Sequence, residues 1–338
     1  MKKHISCLIV VLICLVISGC EKDGPEPDAD FRLPESGTFH LVNYLGNEQN
    51  IHPKVIYFEK GWKGHRFWMA YTPYPVGNIN HENPCIAVSE DGATWEDPNG
   101  ISNPLYQQPE NGYNSDTHLV YNPDDDSLEI WWRGFDIPTS RDYLMRRICR
   151  DGRKWSEPEI ILPVSSDRSW GCLSPAVSII DRKYVMLFSD GRRLYIMRSS
   201  SEAPSISWQS PIKVDVPDTG LNYWHQDMIV SDDGREAIVP VTCYTNNESH
   251  NAADLYGMVI DLANASGSKP RMLIKRGDIK PEFTSRSLYR SSLVRIGEQY
   301  VLYYSCISKG DNFRHTDLIT GNWNELYRYL NYADGQED

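Results

Sequence analysis

The chain is poor in the features that mark several common kinds of chemistry. None of its eight cysteines stands in a Cys-x-x-Cys pair, which excludes the usual thiolate zinc knuckles and dithiol redox motifs. It has no phosphate loop, no dinucleotide fingerprint and no Gly-x-Ser-x-Gly elbow, so nucleotide chemistry and that form of serine hydrolysis have no carrier. Positive charge is in deficit. Lys and Arg number 34 against 46 Asp and Glu, a net charge of −12. Such a surface does not suit nucleic acid or anionic lipid, and it suits a neutral sugar better than a polyanion. Long helical patterns are missing. The apolar run Leu8 to Ile17 is ten residues, too short to span a bilayer as a helix.

What is abundant points to strands. Tyr (20), Trp (10), Gly (23) and Pro (21) together favour an all-β chain with many turns. Outside the first twenty residues lie five cysteines, Cys85, Cys149, Cys172, Cys243 and Cys306. Disulfides and buried free thiols are both open to them, since four of the five sit in apolar strand-like runs.

The N-terminus orders Lys2 and Lys3, the apolar run, then Val16-Ile17-Ser18-Gly19-Cys20. This resembles the bacterial lipoprotein signal, which implies cleavage before Cys20 and lipidation of that cysteine. An ordinary secretory signal with a chance cysteine is the alternative. Residues 1–19 are then the signal, 20–35 an acidic tether, 36–330 a single folded domain and 331–338 a polar tail. Losing Lys2 and Lys3 with the signal takes the charge to −14. The expectation is an exported protein, lipid-anchored to the cell envelope at the outer membrane or cell surface, meeting the membrane through that anchor only.

A repeat organises the rest. Ser89-Glu90-Asp91-Gly92-Ala93-Thr94-Trp95 is followed by Pro98, and Asp151-Gly152-Arg153-Lys154-Trp155 by Pro158. Trp208, after the serine-rich turn Ser199 to Ser201, is followed by Pro211. Each is a tight turn followed by a large ring that can pack under the next strand. Five aromatic-rich strands recur, around Phe67, Trp131, Tyr184, Val239 and Tyr303. Ahead of each is a strand with a polar head, starting at His52, Asp116, Ser174, Asp227 and Ser291, 53 to 64 residues apart. Units of about 60 residues, each three or four strands, predict a five-bladed β-propeller, with two β-sandwiches as the rival.

In a propeller the first strands line the axis, so their heads form a ring. It holds His52 with Lys54, Asp116 with His118, Ser174, His225 with Asp227, and Arg290 with Ser291. Aromatics precede these heads: Tyr113, Trp170, Tyr223-Trp224 and Tyr289. Rings beside hydroxyl, amide and carboxylate groups suit a sugar.

With these blade ends, Ser174-Pro175-Ala176-Val177 and Tyr289-Arg290-Ser291-Ser292, the chain resembles the five-bladed propellers of the glycoside hydrolase family 43 superfamily over about residues 40–325. The resemblance implies hydrolysis of a terminal glycosidic bond, with a base in blade one, an orienting aspartate in blade two and an acid in blade three. Asp116 matches the aspartate. His52 and Ser174 occupy the other two places, so the usual acid and base are substituted. Asp116 and Asp227 are the candidates for the charged work, with His52 and His225 as secondary bases. Arg290, Trp170, Trp224, Tyr289 and His118 would contact the glycan, and Glu82 and Asp190 are nearby carboxylates able to serve. No cofactor is expected beyond a calcium ion in the channel, held mostly by water as in some relatives. The histidines lack the spacing of a metal set. A non-catalytic glycan-binding lipoprotein is the alternative of another class. A sialidase-like propeller, using Arg133, Arg290 and Arg286 or Arg192 for a sugar carboxylate, is opposed by the blade count.

Overall fold

Aromatic and β-branched runs joined by short polar turns form antiparallel sheets, and here they form five. The structure is a computed structural model that describes residues 31–164, 172–203 and 207–331. Blade one is Asn50–Trp62, His65–Pro73 and Cys85–Ser89. Blade two is Gly112–Asn122, Ser127–Asp136, Arg141–Cys149 and Glu159–Val164. Leu173–Ile180, Lys183–Ser189, Leu194–Arg198 and Ile212–Lys213 make blade three. In blade four Leu221–Gln226 and Ile229–Val230 both pair with Glu236–Thr245, which pairs in turn with Asp254–Asp261. Blade five is Ser287–Ile296, Gln299–Ile307 and Arg314–Asn322.

No blade can bury both faces alone. The apolar clusters lie between neighbours: Trp68, Leu119 and Trp132 between blades one and two; Trp131, Val177 and Phe188 between two and three; Leu187, Val239 and Met258 between three and four; Leu255, Leu293 and Leu302 between four and five. The helix Trp323–Asn331 adds Trp323, Leu326 and Leu330 to the last cluster, the spacing of one helical face. Residues 36–41 tie the ring shut. The Gly37 amide donates to Leu318 O of blade five at 2.9 Å, and His40–Leu41 pairs in parallel with Thr94–Trp95 beside blade one. All five described cysteines are buried free thiols. Among the described residues, no helix is long and apolar enough to cross a membrane.

The repeated turns are built as their residues dictate. Asp91 Oδ1 accepts from the Ala93 and Thr94 amides at 2.8 Å each, and Asp151 Oδ1 takes the Arg153 and Lys154 amides in the same way. Trp155 and Trp208 bridge back to Cys149 and Ser199, and Val88 bridges to Glu96 beside Trp95. Gly92 has φ +75°, and a Cβ there would meet Tyr303 Oη at 2.9 Å. That hydroxyl donates to Gly92 O at 2.8 Å, a blade-five contact that helps close the ring. Gly92→Ala is therefore expected to destabilise the fold by about 1–3 kcal/mol in denaturant titration.

The inner strands begin earlier than the polar heads, at Asn50, Gly112, Leu173, Leu221 and Ser287. In each, pairing slips by one residue: between Ile51 and Lys54, Ser115 and His118, Leu173 and Ala176, Tyr223 and Gln226, Leu288 and Ser291. A β-bulge at one register of five strands re-aims side chains toward the axis. The equivalent position in blade four is thus Trp224-His225. Asp227 lies beyond the bulge, between two short strands, which corrects its expected place at the head of the ring.

Candidate functional site

Three of the bulges hold non-glycine residues with left-handed backbone, His52 (φ 56°), Asp116 (φ 54°) and Ser174 (φ 48°). Such conformations cost on the order of 1–3 kcal/mol each and persist where the surroundings enforce them. Here they turn three polar side chains of blades one, two and three toward one point, where His225 arrives from blade four. All four residues are buried.

The hydrogen bonds assign the tautomers. Ser174 Oγ donates to Asp116 Oδ1 at 2.9 Å, so it accepts from His225 Nδ1, with which it is in close contact. Thr72 Oγ1 donates to Ile51 O at 3.4 Å, so it accepts from His52 Nδ1 at 3.0 Å. Both imidazoles then carry their lone pair on Nε2, and both Nε2 atoms are buried without a hydrogen-bond partner. Burial holds His52 well below the usual histidine range and brings His225 down to about 4, so both rings are neutral near pH 7. Asp116 is held ionised. Burial opposes this, and Arg133, donating to Oδ2 at 2.8 Å, outweighs it with His225 and His52, taking the carboxyl well below its usual value. Arg133 is steadied by Asp142 at 2.9 Å.

One ligand atom from each of His52, Asp116 and His225 lies within 4.8 Å of the other two. Two neutral imidazoles with free lone pairs beside an ionised carboxylate form a donor set fit for a divalent cation. Sequence spacing hid it, because the three ligands come from three blades. Thr72 carried no signal at all. Glu82 completes the site. Its carboxyl accepts from Ser115 Oγ at 2.8 Å and lies 3.3 Å from His52 Nδ1. Burial, with Asp116 near, raises its pKa to about 8.

Tyr289 is partly exposed and packs its ring 5.2 Å from His52 and 4.1 Å from His225. Trp224, also partly exposed, stacks on His250 at 4.2 Å and 11°. Both rings border the cluster, Trp224 lying 5.2 Å from the His225 ring. Trp170 and Cys20 lie outside the described residues.

Other candidates have partners of their own. Asp227 pairs with Lys54 at 2.7 Å and accepts from the Leu293 amide at 3.2 Å. His118 donates from Nε2 to Val177 O at 3.0 Å and accepts at Nδ1 from Arg290 Nη2, also at 3.0 Å. Arg290 further donates to Pro175 O at 2.9 Å. Asp227, His118 and Arg290 have no exposed surface in this structure, where His118 and Arg290 were expected to contact a glycan; Arg290 Nε and Nη1 are buried without a hydrogen-bond partner. The register of blade four is the reason for Asp227. For His118 and Arg290 it is their position one or two residues inward of the first bulge residue. Asp190 occupies a turn, its Oδ1 taken by the Arg192 and Arg193 amides and its Oδ2 by Tyr195 Oη. With Arg133 committed to carboxylates and Arg290 buried, the arginine set of a sialidase does not assemble.

No protein-family model matches the chain. It is 27% identical to the A type blood N-acetyl-α-D-galactosamine deacetylase of Flavonifractor plautii, over 59% of this chain and 32% of that protein; it spans about a third of that curated relative's length. In structure it is similar to an N-acetylgalactosamine deacetylase from F. plautii in complex with blood group B trisaccharide (TM-score 0.72, 21% identity, 87% of this chain and 96% of that one). A thermostable family-43 glycoside hydrolase gives 0.59 at 9% identity, covering 86% and 92%. An arabinanase of Bacillus subtilis gives 0.57 at 10%, covering 83% and 97%. The fold is thus the five-bladed propeller expected from the sequence, similar to that of these solved structures.

Proposed function

We propose that the protein hydrolyses the N-acetyl group of a sugar at the end of a glycan, with His52, Asp116 and His225 holding a divalent cation. The observation that carries this reading is the pair of buried, unpartnered Nε2 atoms, that of His52 3.4 Å from Asp116 Oδ1, in a three-residue set whose ligand atoms lie within 4.8 Å of one another. The deacetylases similar in sequence and in fold support the choice of bond. It replaces glycosidic hydrolysis as the leading reading because His52 and Ser174, in the places of base and acid, have other work. His52 is a ligand, and Ser174 holds the tautomer of another.

A divalent cation in this set would polarise the acetyl carbonyl and activate a water. The protein's own groups do the rest. Arg133 holds Asp116 Oδ2 and leaves Oδ1 near His52 Nε2 at 3.4 Å and His225 Nδ1 at 3.5 Å. Thr72 and Ser174 fix both rings with the lone pair on Nε2. Glu82, against His52, would give its proton to the amine as the amide C–N bond breaks and take back the proton of the water whose oxygen has bonded to the acetyl carbon, leaving acetate. Tyr289 and Trp224 present ring faces to the sugar.

Ser174→Ala is expected to lower divalent-cation affinity about 10–100-fold, because the tautomer of His225 is no longer fixed. Competition with a fluorescent chelator reads this directly.

Glycosidic hydrolysis remains the second reading, favoured by Glu82 and Asp116 on opposite nitrogens of His52, at 3.3 and 3.4 Å. A panel of N-acetylated glycans with cation present separates the readings. Acetate without new reducing ends supports deacetylation, new reducing ends support the second reading, and binding without either product supports a lectin. We place the protein outside the cytoplasm on a lipid at Cys20. Cys20→Ser should release it into the soluble exported fraction, and retention on washed membranes would contradict the anchor.

A further inference from the structure

Beside the ring is a cavity of about 450 Å³ between blades three and four. Its wall carries Arg192 and Arg193 from the turn after Ser189 and Lys213 from the outer strand of blade three, all exposed. In a chain of net charge −12, three cations around one cavity are a local reversal of sign. Among the described residues none of the three side chains forms an ion pair. One carboxylate, Asp218, shares the wall and accepts from the Gly220 amide at 3.0 Å, so three cations face one anion there; Asp190 of the same turn is held by backbone amides and by Tyr195. Asn222, bonded to Asn246 at 3.0 Å, adds amide groups to the wall.

The cavity is joined to the cation set by backbone. Asn222 and His225 lie on one strand, three residues or about 10 Å apart. The same turn packs on the platform, since Gly191 lies against Trp224 and accepts from Tyr244 Oη at 2.7 Å. A glycan with its terminal sugar over Trp224 and Tyr289 would bring a neighbouring substituent to these cations.

We propose that this pocket is a subsite for an anionic substituent, sulfate or carboxylate, on the glycan whose end occupies the ring. Arginine forks and a lysine ammonium suit the oxygens of either group. The proposal rests on the deacetylation reading for the position of the sugar, and its test is separable from that reading. Three probes are used: a chondroitin sulfate tetrasaccharide, its desulfated form, and the desulfated form with its carboxyls reduced. Binding to wild type, to Arg192→Ala/Lys213→Ala and to chelator-treated wild type is measured by calorimetry at low and high salt. A charged probe is expected to bind wild type about tenfold more tightly than the neutral one at low salt. The gap should close in the double variant and at high salt, and persist after chelation. Preference for the sulfated over the desulfated probe assigns sulfate; equal binding of these two assigns carboxylate. Equal affinity for all three probes in wild type, or a gap retained in the double variant, overturns the proposal. If the panel of N-acetylated glycans yields no acetate while the gap still depends on Arg192 and Lys213, the deacetylation reading falls and the pocket stands.

Discussion

Asp116→Asn should reduce acetate release by on the order of 10³-fold or more in kcat/KM, and the purified variant should carry little divalent metal. The reasoning runs through charge. Asp116 is the only carboxylate of the donor set, and two neutral imidazoles hold a divalent ion poorly without it. Changes one shell further out already cost about 10–100-fold in such sites. The amide keeps the size of the side chain and an oxygen that can accept from Arg133. Arg133 also retains Asp142 at 2.9 Å, so the blade-two bulge is expected to survive. Metal analysis and thermal denaturation of the same preparation separate loss of the ion from loss of the fold. His225→Ala and chelation of the wild type should give the same loss, and added cation should rescue only the chelated protein. Asp116→Asn retaining both metal and near-full turnover would sink the cation set.

The fold was legible because its signals are local and repeated. The Asp-Gly turns, the aromatic strands and the 53 to 64-residue spacing each follow from turn chemistry and pairing, and all agree on five blades. The ring was legible as a set of polar strand heads. The register inside the ring was not. A bulge shifts the facing of a strand by one residue and leaves no mark in composition, so Asp227 was aligned with Asp116 where the true counterpart is the Trp224-His225 pair. The candidate cation set was invisible for a related reason. Its ligands are far apart in sequence and meet only when the propeller closes. Ser174 and His52 read as losses against the family pattern. In three dimensions each has a defined partner, His225 Nδ1 for one and Thr72 Oγ1 for the other.

Lys54→Met should destabilise the protein by about 3–5 kcal/mol, because it leaves Asp227 buried without its counter-ion. For about 300 ordered residues that is a fall in Tm of roughly 5–8 °C. Asp227→Asn strands the Lys54 ammonium instead and should also lower Tm. The double variant Lys54→Met/Asp227→Asn removes both charges, and the asparagine oxygen can still accept from the Leu293 amide, which now bonds to the carboxylate at 3.2 Å. It should recover most of the loss, a coupling that a pair of independent sites would not give. Acetate release per folded molecule is expected to stay within a few-fold of wild type in all three, since Asp227 faces Lys54, Leu293 and His118, away from the donor set. Asp227→Asn that leaves Tm unchanged and stops turnover would return this carboxylate to the reaction, and with it the two-aspartate chemistry read from the sequence.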